Sequence, residues 1–386
     1  MSDFLLLGLL VTAIAIGWFM GRRSQQQATM QNQVDERYVR GLNYLLNHET
    51  DAALDLFIDS LEVNQHNLET HLALGNAFRR KGEVDKAIHI HQNLINQSGL
   101  THSQLAQAQL ELAHDFIKAG LLDRAEQLLL ESAGFSPNKE VWGRLLLDIY
   151  QREKDWDKAI QVGRRFQLQD IPDLAVRLSH YACEQAQQHL QDDEEQLAKQ
   201  QLQQASRLAA DNPRIPFLKA QILMRNDDFR AAAAQLQQIA KHDPSLIPVI
   251  LPDLALCYQH IGTPEAWFSW LEQSMAEHPS TSAMLAKAEQ LRQQSDAEAA
   301  AYVTKELRKR PSVKGFNYHI DLHMQWASEA AKESLEALQG LTVALEKTKP
   351  AYRCKQCGFA SSQLQWQCPT CHQWDTTKPH YGLRGE

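Results

Sequence analysis

The chain is 386 residues long, 44% hydrophobic and 22% charged, the make-up of a folded protein with room for a large core. Its 39 Lys and Arg stand against 47 Asp and Glu, a net charge of −8. That balance argues against nucleic acid as the main partner, because a duplex-binding surface needs clustered cations to displace counterions.

The chain opens on Phe4–Met20, FLLLGLLVTAIAIGWFM, a run without a charge. As a helix it would be about 25 Å long, near the lower limit for crossing a bilayer. A cleaved signal peptide would carry positive charge before the run and small residues after it. Here Asp3 precedes it and Gly21-Arg22-Arg23 follows, with Trp18 and Phe19 where an aromatic belt would sit. The expectation is an uncleaved transmembrane anchor over 1–21, with everything beyond Arg22 on the cytoplasmic side. Residues 22–36 are polar and read as a tether.

From 37 to 345 a single pattern recurs: a small residue, a large apolar residue three later, alanine nine later, and an apolar residue four after that. Gly41, Tyr44, Ala53 and Phe57 begin it; Gly75, Phe78 and Ala87 follow, with His91 in the last slot; Ala113, Phe116, Ala125 and Leu129 come next. The alanine slot continues at Ala159, weakly at Ala198, then Ala232, Trp267 and Ala299. A period of about 34 with this residue order is the tetratricopeptide signature, so the predicted fold is an all-α TPR helical-repeat solenoid. Gly82, Gly120 and Gly262 fall where helix–helix turns are predicted, Pro244, Pro279 and Pro311 where repeats close, and acidic Asp192–Glu195 at a solvated insertion. Cys183 and Cys257 lie singly in predicted helices and read as buried apolar thiols.

A solenoid offers a long concave face to peptide or protein segments. In the second repeat that face would present Asn76, Arg79 and Arg80, from LGNAFRRKG, as partner-binding residues. No nucleotide-binding, nucleophile-elbow or zinc-protease motif occurs, so no catalytic residue is assigned and the chain is read as a non-enzyme. His89 and His91 in HIHQ sit two apart on a predicted helix and read as surface residues, and His319 and His323 as one helix face.

At 350–386 the chain changes character. Cys354-x-x-Cys357 and Cys368-x-x-Cys371 each supply two thiolates from one tight turn, and together they make a tetrahedral sulfur site for one metal ion. Four thiolates select iron or zinc without separating them. Tyr352, Phe359, Trp366 and Trp374 crowd the ligands, more aromatics than so short a segment can bury alone. The expectation is that Trp366 or Trp374, with Phe359, packs on the last helices between about Val313 and Leu345. A rubredoxin-type electron-transfer or redox-sensing protein is the alternative, weakened by the lack of a flavin or nicotinamide motif. Arg353, Lys355, Lys378 and Arg384 against Asp375 and Glu386 are too few to favour nucleic acid.

The anchor ending GWFMGRRS, then GLNYLLN, LALGNAFRRKGEVDKAIHIHQNL and the terminal YRCKQCGF and WQCPTCHQW together resemble the lipopolysaccharide assembly protein B family of Gram-negative bacteria. The resemblance spans nearly the whole chain. It implies a single-pass inner-membrane regulator with its body in the cytoplasm and a rubredoxin-like metal domain held by Cys354, Cys357, Cys368 and Cys371. The partners it implies are the membrane protease FtsH, the deacetylase LpxC whose degradation it promotes, and an inner-membrane protein that senses lipopolysaccharide. His372 departs from free-standing rubredoxins, which usually carry Gly after the fourth ligand, and this weakens a redox role.

Overall fold

The computed structural model describes Trp18, Arg40, Gly41, Asn43 and Tyr44, and residues 68–96, 100–132, 139–165, 173–347, 350–383 and 385–386. Apart from Trp18, the apolar run Phe4–Met20 lies outside them, as do the tether and most of the first repeat, including Ala53 and Phe57. Among the described residues, no helix is long and apolar enough to cross a membrane. The chain divides into two compact units, Met1–Ile149 and Tyr150–Glu386.

The first unit holds α1 (Leu68–Lys81), α2 (Val84–Ile95), α3 (His102–Ala119) and α4 (Leu122–Ser132), and most of α5 (Lys139–Glu153). Consecutive helices pair, and the alanine slot explains how closely. Ala87 and Ala125 have no exposed surface, so nothing larger than a methyl fits where the helices meet. Gly75 is tighter still: a Cβ there would lie 2.4 Å from His91 Nε2, so a glycine on α1 accommodates the ring on α2. Thr101 begins α3 with a reciprocal cap, its hydroxyl accepting from Gln104 N while Gln104 Oε1 accepts from Thr101 N. Gly120 ends it at φ +77°, a left-handed turn that a Cβ would strain. Gly82 and Gly262 sit at the other two turns that the sequence marks, also at positive φ.

The second unit continues with α6 (Trp156–Arg165), α7 (Leu174–Gln191), α8 (Glu195–Leu208), α9 (Arg214–Arg225), α10 (Phe229–His242), α11 (Ile247–Ile261), α12 (Pro264–Glu277), α13 (Thr281–Arg292), α14 (Asp296–Lys309), α15 (Val313–Met324) and α16 (Glu329–Lys347). Ala159, Ala198, Ala232 and Ala299 are again without exposed surface, and Trp267 is buried in the same slot. Of the insertion at Asp192–Glu195, Asp192, Asp193 and Glu194 form an exposed turn between α7 and α8, and Glu195 begins α8. Pro244, Pro279 and Pro311 stand between successive helix pairs. Ser280 and Ser312, each directly after its proline, cap the next helix by accepting from Ala283 N and Gly315 N. Cys183 and Cys257 are buried, and burial pushes their thiols up to about 12 and about 11.

The knuckle is built of strands. A three-stranded antiparallel sheet has β1 (Tyr352–Cys354) between β2 (Ala360–Ser361) and β3 (Thr377–Pro379), with Arg353 opposite both Ala360 and Lys378.

Candidate metal centre and its seat on the repeats

Two turns of the same construction carry the four cysteines. In the first, Gly358 N donates to Cys354 O and Cys354 N to Phe359 O, at 3.0 and 2.7 Å. In the second, His372 N donates to Cys368 O and Cys368 N to Gln373 O, at 2.8 and 2.9 Å. Each turn needs a left-handed residue after its second cysteine. Gly358 supplies it at φ +79°, and His372 adopts it at φ +57° despite its side chain.

The turns bring all four Sγ atoms within 4.8 Å of one another. Cys354 Sγ lies 3.7 Å from Cys371 Sγ, and Cys357 Sγ lies 3.6 Å from Cys368 Sγ. Disulfide sulfurs would be about 2 Å apart. Sulfurs at the corners of a tetrahedron around a zinc ion stand about 3.8 Å apart. The spacing fits one metal ion, iron or zinc. Burial would raise the Cys354 thiol, but the Thr376 hydroxyl at 3.3 Å and the N–H groups of Cys357 and Gln356 outweigh it and hold it at about 6. Cys371 is pushed up to about 12, by burial first and then by the other thiols. One sulfur ionises readily while Cys357 and Cys371 are held above the usual thiol range, so a central cation is what lets thiolates gather here.

The knuckle does not pack on α15 and α16 through its tryptophans, as sequence adjacency suggests. Trp374 inserts among α5, α6 and α7. Its ring stacks on His180 with centroids 4.9 Å apart and meets Tyr181 and Trp156 edge-on at 5.7 and 6.1 Å. Its Nε1 donates to Gln151 Oε1 at 3.3 Å. That oxygen also accepts from the Tyr181 hydroxyl at 2.6 Å and from Arg177 at 2.9 Å, so one buried amide aligns three donors. Trp366 lies against Phe217, 6.1 Å between centroids, and beneath the buried Arg214 guanidinium at 5.9 Å. Arg214 is itself held by Glu184 and Gln187, both at 2.7 Å.

Two further contacts fasten the rest of the segment. Lys378 Nζ donates to Asp243 at 2.7 Å and to Asp375 at 2.6 Å. Burial would raise the Asp243 carboxyl, but Lys378 and Ser245 outweigh it and hold it below the usual carboxylate range. Beyond the sheet, Glu386 accepts from Ser282 N and Oγ at 2.8 and 2.6 Å, and Val313 N donates to Leu383 O at 2.9 Å. Among the described residues it is this tail that bonds to α15; the aromatic seat is over a hundred residues earlier in the chain.

Asn76, Arg79 and Arg80 fall on α1, in the first unit. Arg80 is exposed. The Arg79 guanidinium is engaged within the protein, with Asp115 at 2.8 Å, the Glu111 side chain at 2.6 Å and Asn76 Oδ1 at 2.5 Å. Asp115 and His91 are wholly buried and paired through His91 Nδ1. His91 is thus a core residue and not the surface residue that its spacing from His89 suggests. The contrary signal was its position in the apolar slot of the repeat. His319 and His323 share one face of α15, their rings 4.4 Å apart.

Residues 352–379 match the family described as the rubredoxin metal binding domain. Over its length the chain is similar to the lipopolysaccharide assembly protein B of Escherichia coli (strain K12), 36% identical over 385 residues and covering 99% of each chain. The lipopolysaccharide assembly protein B of Haemophilus influenzae is 32% identical over 390 residues, 97% of this chain and 98% of that one. Among solved structures, the TPR2AB-domain:pHSP90-complex of yeast Sti1 matches at a TM-score of 0.34 and 13% identity, over 70% of this chain and 97% of that chain, too low to bear on fold or function.

Proposed function

The chain belongs to the lipopolysaccharide assembly protein B family, and from that premise we propose that it is a non-catalytic adaptor that limits lipopolysaccharide synthesis at the inner membrane. In this reading Phe4–Met20 is a single-pass anchor and the body lies on the cytoplasmic side. The repeats and the metal knuckle together present the deacetylase LpxC to the membrane protease FtsH, and a lipopolysaccharide-sensing inner-membrane protein restrains the process.

One observation carries the reading. The knuckle is not a free-standing module: Trp366 and Trp374 are locked into the repeats by Gln151, His180 and Arg214, which makes one composite surface of metal turn and helices. An adaptor needs such a surface more than it needs a cleft with reactive groups. Tethering to the membrane raises the local concentration of that surface near membrane partners. Asn76, Arg79 and Arg80 are proposed as a contact for a partner segment, with Arg79 held in place by Glu111 and Asp115.

The test is depletion of the protein in cells, with the LpxC level and its half-life followed. Depletion should lengthen that half-life and raise lipopolysaccharide, and full-length protein should restore both. Restoration by the chain lacking residues 1–21 at equal abundance would remove the anchor from the account. An unchanged LpxC half-life on depletion would remove the adaptor role.

A further inference from the structure

His180 sits at the centre of the seat. It has no exposed surface, and neither ring nitrogen has a hydrogen-bond partner. Trp374 stacks on one face at 4.9 Å and Trp366 lies 6.2 Å away, tilted by 39°. A phenyl ring would meet the same stacking requirement, so the imidazole adds two polar nitrogens that the docked state leaves without a partner.

The surrounding charges make that imidazole difficult to protonate in place. From α9 comes Arg214, and from β3 comes Lys378, both cationic and both buried. The carboxylates within reach are already committed: Glu184 on the same helix to Arg214, and Asp243 and Asp375 to Lys378. Arg177, also on α7, is engaged with Gln151 and Tyr181. Cys183, one turn along α7, stays neutral because burial raises its thiol. α5 and α6 contribute Gln151 and Trp156, which bring no charge.

We propose that the seat is a proton-sensitive latch: His180 must be neutral for the knuckle to sit, so mild acid lifts the knuckle off the repeats while the metal stays bound. Burial first, then Arg214 and Lys378, lower the His180 pKa to about 3 in the docked state. Once the knuckle lifts, the ring meets water and returns to about 6.5. The undocked state therefore binds the proton and the docked state does not. Docking is at full strength above pH 6.5 and weakens as pH falls through that value. Between pH 7.5 and 5.5 the open fraction should rise about tenfold. The Asp243–Lys378 pair is not the cause in this window, because a carboxyl held below the usual range gives up its charge only at lower pH.

The experiment uses the full-length, metal-loaded protein. Hydrogen-exchange protection over residues 366–378, corrected for intrinsic exchange, and bound metal are measured from pH 7.5 to 5.5. Loss of protection by about tenfold with metal retained, and no pH dependence in His180→Phe, supports the latch. Protection that is flat in the natural protein, a slope that persists in the variant, or metal released in step with opening overturns it. If His180→Phe loses helical circular dichroism, His180→Leu takes its place. The His180 ring is also followed by NMR in the docked protein, where ordinary titration near pH 6.5 would overturn the proposal. This inference rests on the docked geometry and not on the adaptor role, so the two fail separately.

Discussion

Around α13 and α14, Ala288, Ala299 and Val303 are without exposed surface because their own neighbouring helices cover them. In the knuckle, the buried groups are two metal ligands, Cys354 and Cys368, a few residues of β3, and Trp374, which is covered by helices far away in sequence. The repeats supply their own core, residue by residue along the stack. The knuckle has a metal in place of a core and uses its large aromatics outward. Each region therefore has its own source of stability: the repeats many local terms, the knuckle one ion and one borrowed surface.

The largest effect should follow from removing the ion. Cys354→Ser with Cys357→Ser should release the metal and unfold residues 352–379, since structural metal binding supplies about 10–16 kcal/mol in small thiolate domains. Far-UV circular dichroism should keep most of its helical signal, and limited proteolysis should cut the knuckle first. If the helices melt with it, the two regions share one source of stability and the knuckle is part of the repeats' own core.

Trp374→Ala separates the seat from the ion. It should weaken docking by about 3–5 kcal/mol, because a buried indole leaves a cavity and Gln151 loses a donor. Metal analysis should still find a full site. Loss of the metal in this variant would mean that the turns cannot hold their geometry unaided.

Within the repeats the effects should be smaller and local. Gly75→Ala places a methyl against His91 and should cost about 1–3 kcal/mol, confined to α1–α4 and read by hydrogen exchange there. Gly120→Ala meets open space and suffers only the left-handed backbone, about 1 kcal/mol, read from the thermal unfolding midpoint. Neither should change metal content. A change in metal content with either would show that the two regions are coupled more tightly than summed local terms allow.

The repeats and the ligands were legible because both are local patterns. Ala87, Ala125, Ala159, Ala198 and Ala232 recur every 34 to 39 residues, and each fills the same close crossing. The ligands announce themselves by the two-residue gap within each turn. The seat was not legible in that way. Val313–Leu345 was the expectation for Trp366 and Trp374 because those helices come just before the knuckle. The chain instead carries the knuckle back to α5–α9, and no periodicity encodes a contact between Gln151 and Trp374. What the sequence did contain was an excess of aromatics around the ligands, enough to require a partner surface without naming it. His91 was misplaced for a related reason: its partner Asp115 lies on the next helix pair, and the burial of both comes from packing.

The most direct measurement is a hydrogen-exchange map of the full-length protein with and without metal. The seat predicts that stripping the metal exposes residues 150–153, the 177–184 stretch of α7 and the start of α9 at Arg214. α1–α4 should keep their protection. If those stretches exchange equally slowly in both forms, the helices bury that face without the knuckle, and the composite surface does not exist.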